Sequence, residues 1–174
     1  MEPTRTNLVL IGMPGSGKST VGVILAKRTS LEFVDTDLLI QASQRRTLQK
    51  IVDSEGYLAL RTIEEDILLH LSVRHHVIAT GGSAVYSDPA MAHLKSDGVL
   101  IFLDLDLDTL ESRVHDLRTR GLAKRPDQSF SELYAERCVL YAKHADITIQ
   151  CHGLTQEQVC ERIVDRVGHK ALGR

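Results

Sequence analysis

The run Gly12-Met13-Pro14-Gly15-Ser16-Gly17-Lys18-Ser19-Thr20 constrains this chain more than any other feature. It has the form GxxxxGK[ST], and it sits between two segments that supply the context such a motif requires. Asn7–Ile11 is a continuous apolar run that reads as a buried strand, and Lys18–Arg28 reads as a helix. Each residue type has a physical reason to be there. Glycines let backbone N–H groups curl around phosphate oxygens with no Cβ in the way. The helix that follows turns its positive dipole end toward the anion. Lys18 can reach the outer phosphates as a mobile charge, and the Ser19 hydroxyl can ligate a magnesium ion that bridges them. Gly12, Gly15, Ser16, Gly17, Lys18, Ser19 and Thr20 are therefore the expected nucleotide-phosphate site, with ATP and Mg2+ as the expected ligands.

The rest of the chain alternates strand-like and helix-like segments. Glu32–Val34, His76–Thr80, Val99–Leu103 and Ile147–Ile149 read as strands. Leu58–Leu71, Leu107–Leu117, Ser131–His144 and Gln156–Val167 read as helices, with Ser131 as an N-cap. This rhythm predicts a parallel sheet covered on both faces, a three-layer α/β/α domain of five strands spanning residues 1–174. Leu117–Ser129 breaks the rhythm with Arg, Lys, Gly and Pro and no clean period, which is the composition of a mobile lid.

Composition closes several doors. A net charge of −2, with both signs interspersed, offers no concentrated basic face for nucleic acid. No stretch approaches a membrane span, and the first residues lack the apolar core of a signal peptide. The three cysteines, Cys138, Cys151 and Cys160, are widely spaced, as free thiols in a reducing cytoplasm would be. A cytoplasmic monomer acting on a small molecule is the expectation.

A phosphate loop needs an acidic partner for its metal, and two positions offer one. Asp35 follows a short strand in Val34-Asp35-Thr36-Asp37, and Asp104 follows the longer strand Val99–Leu103. The run Asp104-Leu105-Asp106-Leu107-Asp108 also suits the positive end of the next helix, a purely structural role. Asp35 and Asp37 have less structural excuse, because capping a helix starting at Leu38 takes only one carboxylate.

Taken together, the phosphate loop, Asp35-Thr36-Asp37, Arg61 with Glu64, Gly81-Gly82, and Arg137 with Tyr141 resemble the shikimate kinases, in order from about residue 7 to 149. The resemblance implies a sheet order of 2-3-1-4-5 and transfer of the γ-phosphoryl group of MgATP to a hydroxyl of a carboxylate-bearing metabolite. It also implies roles. Asp35 and Ser19 would hold Mg2+. Asp37 would bind the acceptor hydroxyls and take the proton of the attacking one. Arg61 and Arg137 would clamp the carboxylate, work suited to planar bidentate donors. Backbone amides at Gly81 and Gly82 would approach the acceptor. Arg120 would swing over the transferred group as the lid arginine, a place Arg118 or Arg125 could also fill, and Arg113 would lie near the adenine.

This chain departs from the family pattern around the acceptor. Ser83 replaces a third glycine, Leu60 and Val52 replace aromatic walls, and Arg120-Gly121-Leu122 replaces Arg-Pro-Leu. Shikimate is the leading acceptor. Homoserine or a similar hydroxy acid would satisfy the same layout. A nucleoside monophosphate or gluconate kinase is disfavoured by an aromatic content of 4%, too low to stack bases readily. A mere nucleotide sensor is disfavoured by the intact Lys18, Ser19, Asp35 and Asp37 set.

Overall fold

The computed structural model describes residues 5–113 and 121–168. Five parallel strands form one sheet in the order β2-β3-β1-β4-β5. They are β1 (Asn7–Ile11), β2 (Glu32–Asp35), β3 (His76–Ala79), β4 (Gly98–Asp104) and β5 (Ile147–Gln150). The central strand is buried along its whole length, as a strand covered on both faces must be. It pairs on one side with β3, Val9 beside Ile78, and on the other with β4, Val9 beside Leu100. Because every pairing is parallel, the carboxyl ends of the strands open on one edge of the sheet, where ligands gather in folds of this kind.

The helices are α1 (Lys18–Thr29), α2 (Thr36–Gln44), α3 (Leu48–Glu55), α4 (Tyr57–His70), α5 (Asp88–Asp97), α6 (Leu107–Arg113), α7 (Phe130–His144) and α8 (Gln156–Val167). They complete the expected three-layer α/β/α architecture. A short 3-10 turn, Ala84–Tyr86, follows β3. Within α1, Gly22 faces the ring of Phe33 on β2: a Cβ there would lie 2.5 Å from the ring. Helix and strand thus approach as closely as a bare backbone allows.

Two apolar clusters hold the molecule. The large one fills both faces of the sheet. The small one lies beyond the strand ends, where Ile40 of α2, Ile51 of α3 and Leu60 of α4 close around Ala123.

Several boundaries differ from the sequence reading. α7 is capped by Ser129, whose side chain accepts from the Glu132 amide while Glu132 accepts from the Ser129 amide. This reciprocal box replaces the expected cap at Ser131. α2 begins at Thr36 rather than Leu38, and its cap is Asp35, which accepts from the Asp37 amide at 2.9 Å. Helices α3 and α5 went unread, although Thr47, and Ser87 followed by Pro89, mark their starts. Asp106 caps α6 through the Thr109 amide at 2.9 Å, the structural role considered for that acidic run.

Candidate active site

The loop between β1 and α1 is shaped by backbone no L-residue adopts cheaply: Gly15 and Gly17 have φ of 85° and 93°. Lys18 is buried, and its ammonium donates to the carbonyls of Gly12 at 2.7 Å and Met13 at 2.8 Å. Burial pulls its pKa down to about 8, against the opposing pull of Asp37 and other carboxylates. Ser16 Oγ is buried with no hydrogen-bond partner, a donor held in reserve inside the loop. Ser19 Oγ donates to Asp35 Oδ2 at 2.5 Å. A hydroxyl and a carboxylate oxygen so placed could hold a magnesium ion together with phosphate and water. Among the described residues no group of three His, Cys, Asp or Glu forms a fuller cage. Asp104, the other acidic candidate, accepts from Gln150 at 2.8 Å.

A cleft of about 460 Å³ runs from this loop to the small apolar cluster. Gly15, Gly17, Lys18, Ser19, Thr20 and Arg113 line one end, and Asp37, Gly81, Gly82 and Arg137 line the other. The exposed Arg113 donates to the Gly15 carbonyl at 3.2 Å. Gly12 and Ser16 lie behind the loop rather than on the cleft wall: a Cβ on Gly12 would lie 2.9 Å from the Leu103 carbonyl oxygen.

At the acceptor end two carboxylates crowd one glycine. A side chain on Gly81 would collide with both Glu64 Oε1 and Asp37 Oδ1. Gly81 lines the cleft, and its amide donates to Thr36 Oγ1 at 3.2 Å. Glu64 is 3% exposed and accepts from the Ser83 hydroxyl, while its Oε1 is buried without a partner. It is therefore no partner of Arg61 in an exposed helical pair. Burial raises the Glu64 pKa to about 7 and that of Asp37 to about 6, and a neighbouring carboxylate adds to each.

The guanidiniums meet on the chain's own backbone. Arg137 is 1% exposed and donates through Nη2 to the Ala123 carbonyl at 2.9 Å, and Arg61 Nη2 donates to the same oxygen at 3.1 Å. Arg61 borders a neighbouring cavity of about 360 Å³ rather than the main cleft. Ser83, noted in the sequence as the replacement for a third glycine, takes its place here, whereas Tyr86 and Ala123 had no signature in the sequence that marked them for this site. Ala123 arrives because Gly121, at φ 67°, is pressed against the backbone of Leu48 and Gln49 and donates to Gln49 Oε1 at 2.8 Å. Gly121 and Ala123 of the expected lid are thus seated on α3 and the small cluster, while Gln128 and Ser129 turn to α7. Arg120 and Arg118 lie outside the described residues, and Arg125 pairs with Glu136 at 3.4 Å.

A phosphate loop that faces carboxylates and a guanidinium across one cleft defines the class of protein: a P-loop phosphotransferase acting on a hydroxyl of a small acceptor. The family model for shikimate kinase matches residues 14–168, and the chain belongs to that family. A shikimate kinase of Thermodesulfovibrio yellowstonii is 37% identical over 97% of this chain and 98% of its own length. The structure of a shikimate kinase from Acinetobacter baumannii in complex with shikimate is 30% identical, with a TM-score of 0.86 over 94% of this chain and 93% of that one. The shikimate kinase of Aquifex aeolicus is 32% identical, with a TM-score of 0.80 over 97% of this chain and 99% of that one. Among the described residues no helix is long and apolar enough to cross a membrane.

Proposed function

We propose that this chain phosphorylates shikimate, taking the γ-phosphoryl group from ATP. One observation carries the reading: Lys18 on the phosphate loop and Asp37 and Arg137 on the far side line the same cleft. The acceptor oxygen forms its bond to phosphorus as the bond to the bridging oxygen of ADP breaks, and the hydroxyl proton passes to Asp37. With its pKa near 6, Asp37 is ionised at neutral pH yet basic enough to take that proton. Lys18 leaves the Gly12 and Met13 carbonyls for the outer phosphates and offsets their charge. Ser19 and Asp35 would hold Mg2+, which when bound neutralises phosphate charge. Arg137 from within the cleft and Arg61 from the cavity beside it take the acceptor carboxylate, Gly81 and Gly82 lend their bare backbone to the acceptor, Arg113 flanks the base, and the lid arginine, expected at Arg120, covers the transferred group.

The relatives are named for shikimate, and the homoserine alternative draws no support from them. The test is coupled ADP release with MgATP and, in turn, shikimate, homoserine, gluconate and nucleoside monophosphates. The expected result is ADP formation that depends on shikimate. Faster turnover of another acceptor, or ATP hydrolysis indifferent to every acceptor, rejects the proposal.

A further inference from the structure

The arginines expected to clamp the acceptor come from different helices, Arg61 from α4 and Arg137 from α7. Two cations of like charge do not lie close together unless shared partners hold them. Besides the Ala123 carbonyl, they share Tyr86, the last residue of the 3-10 turn after β3. The Arg61 guanidinium sits over its ring, 3.5 Å from the centroid, and that of Arg137 lies 5.5 Å away. The Tyr86 hydroxyl accepts from Arg137 Nε at 3.4 Å and donates to Glu136 Oε1 at 2.5 Å. That bond is the largest influence holding the Glu136 carboxyl below its usual range, so Glu136 stays charged and fixes the hydroxyl. Glu136 in turn accepts from Gln128 at 3.0 Å, which ties the arrangement to the loop carrying Ala123.

We infer that Tyr86 is a positioning residue for the acceptor carboxylate, its ring face setting Arg61 and its hydroxyl setting Arg137 so that both guanidiniums present donors to one ligand. The inference rests on the clamp reading above. An aromatic face attracts a cation through its quadrupole and fixes the plane of a guanidinium better than an aliphatic wall does. The aromatic walls that the family places nearby are Leu60 and Val52 in this chain, which leaves Tyr86 and the more distant Tyr57, 5.1 Å from Arg61, as the surfaces that orient this arginine. Tyr86 faces the arginines and not the phosphate loop, so its influence falls on one substrate only.

The experiment compares Tyr86→Leu, Tyr86→Phe and Arg137→Met with the wild type in steady-state kinetics, with shikimate and ATP varied separately. Tyr86→Leu is expected to raise the shikimate KM about tenfold or more. Tyr86→Phe keeps the ring and should raise it only about threefold. In both, the ATP KM and kcat should stay near wild type. Thermal melts show whether each variant folds. If Tyr86→Leu does not, Tyr86→Phe decides alone, and a wild-type shikimate KM overturns the inference. A wild-type shikimate KM in folded Tyr86→Leu, or ATP and shikimate KM rising in step, overturns it as well. If instead the wild type ignores shikimate, or Arg137→Met leaves its KM unchanged, the clamp reading itself has failed.

Discussion

Residues 12–20 build the phosphate end of the cleft from one uninterrupted stretch of chain, whereas the acceptor end is gathered from five separate places. Asp37 comes from the start of α2, Glu64 from α4, Ser83 from the turn after β3, Ala123 from the segment leading into α7 and Arg137 from α7 itself. The phosphate end is anchored in the large core under the sheet. The acceptor end rests on the small cluster of Ile40, Ile51, Leu60 and Ala123. The contrast teaches that one end is fixed by local backbone and the other by long-range agreement between buried charges. The first leaves little room for variation. The second can change its walls while the fold stays intact, as the exchanges at positions 52, 60 and 83 illustrate.

The largest effect should come from the phosphate end. Lys18→Ala should lower kcat about a thousandfold, the scale on which a preorganised charge at a transition state acts. The loss should persist at saturating concentrations of both substrates; a variant that recovers when ATP is raised would move Lys18 from chemistry to mere binding. Next, Arg137→Met should raise the shikimate KM about a hundredfold while sparing the ATP KM, since it removes a fully buried donor. Equal damage to both constants would dissolve the division between the two ends. Third, Gly121→Ala should cost roughly 1–2 kcal/mol, because position 121 has positive φ and its Cβ meets the backbone of α3. Limited proteolysis in the loop should become faster, and an unchanged cleavage rate would count against the seated loop.

The smallest effect is one of pH. The Glu64 carboxyl, raised from 4.5 to about 7, binds a proton in the folded chain that the unfolded chain has already released. Wild-type stability therefore falls as pH rises from about 4.5 to about 7 through this group. Glu64→Gln lacks that fall. It should gain on the wild type in melting temperature between pH 5 and pH 8, and a gap that does not widen with pH would mean that Glu64 is not the buried acid described here.

The sequence was legible where chemistry is local. The phosphate loop, the five strands and Gln156–Val167 could be read because each carries its signal within a few residues. Asp35 and Asp37 stood out as acidic partners for the phosphate loop, and Arg61 and Arg137 came into view through family resemblance, not through periodicity. The helices between β2 and β3 were harder. α3 has only eight residues, and its amphipathic stripe is too brief to stand out. Nothing in the spacing of Tyr86 or Ala123 announces that a ring and a carbonyl will meet two arginines, because those contacts exist only once α4, α7 and the loop have packed. Ser129-Phe130-Ser131-Glu132 did contain the signature of its cap, with Ser and Glu three apart, and the second serine obscured it.

The contact between Gly22 and Phe33 acts as a gauge block. Gly22 lies on the same face of α1 as Ser19, one turn along, and Phe33 on the same face of β2 as Asp35, two residues back. The thickness of one benzene ring against bare helix backbone therefore fixes the gap across which Ser19 and Asp35 meet. A methyl group added at residue 22 would wedge that gap open and, on the magnesium reading proposed above, weaken binding of the ion although neither Ser19 nor Asp35 is altered.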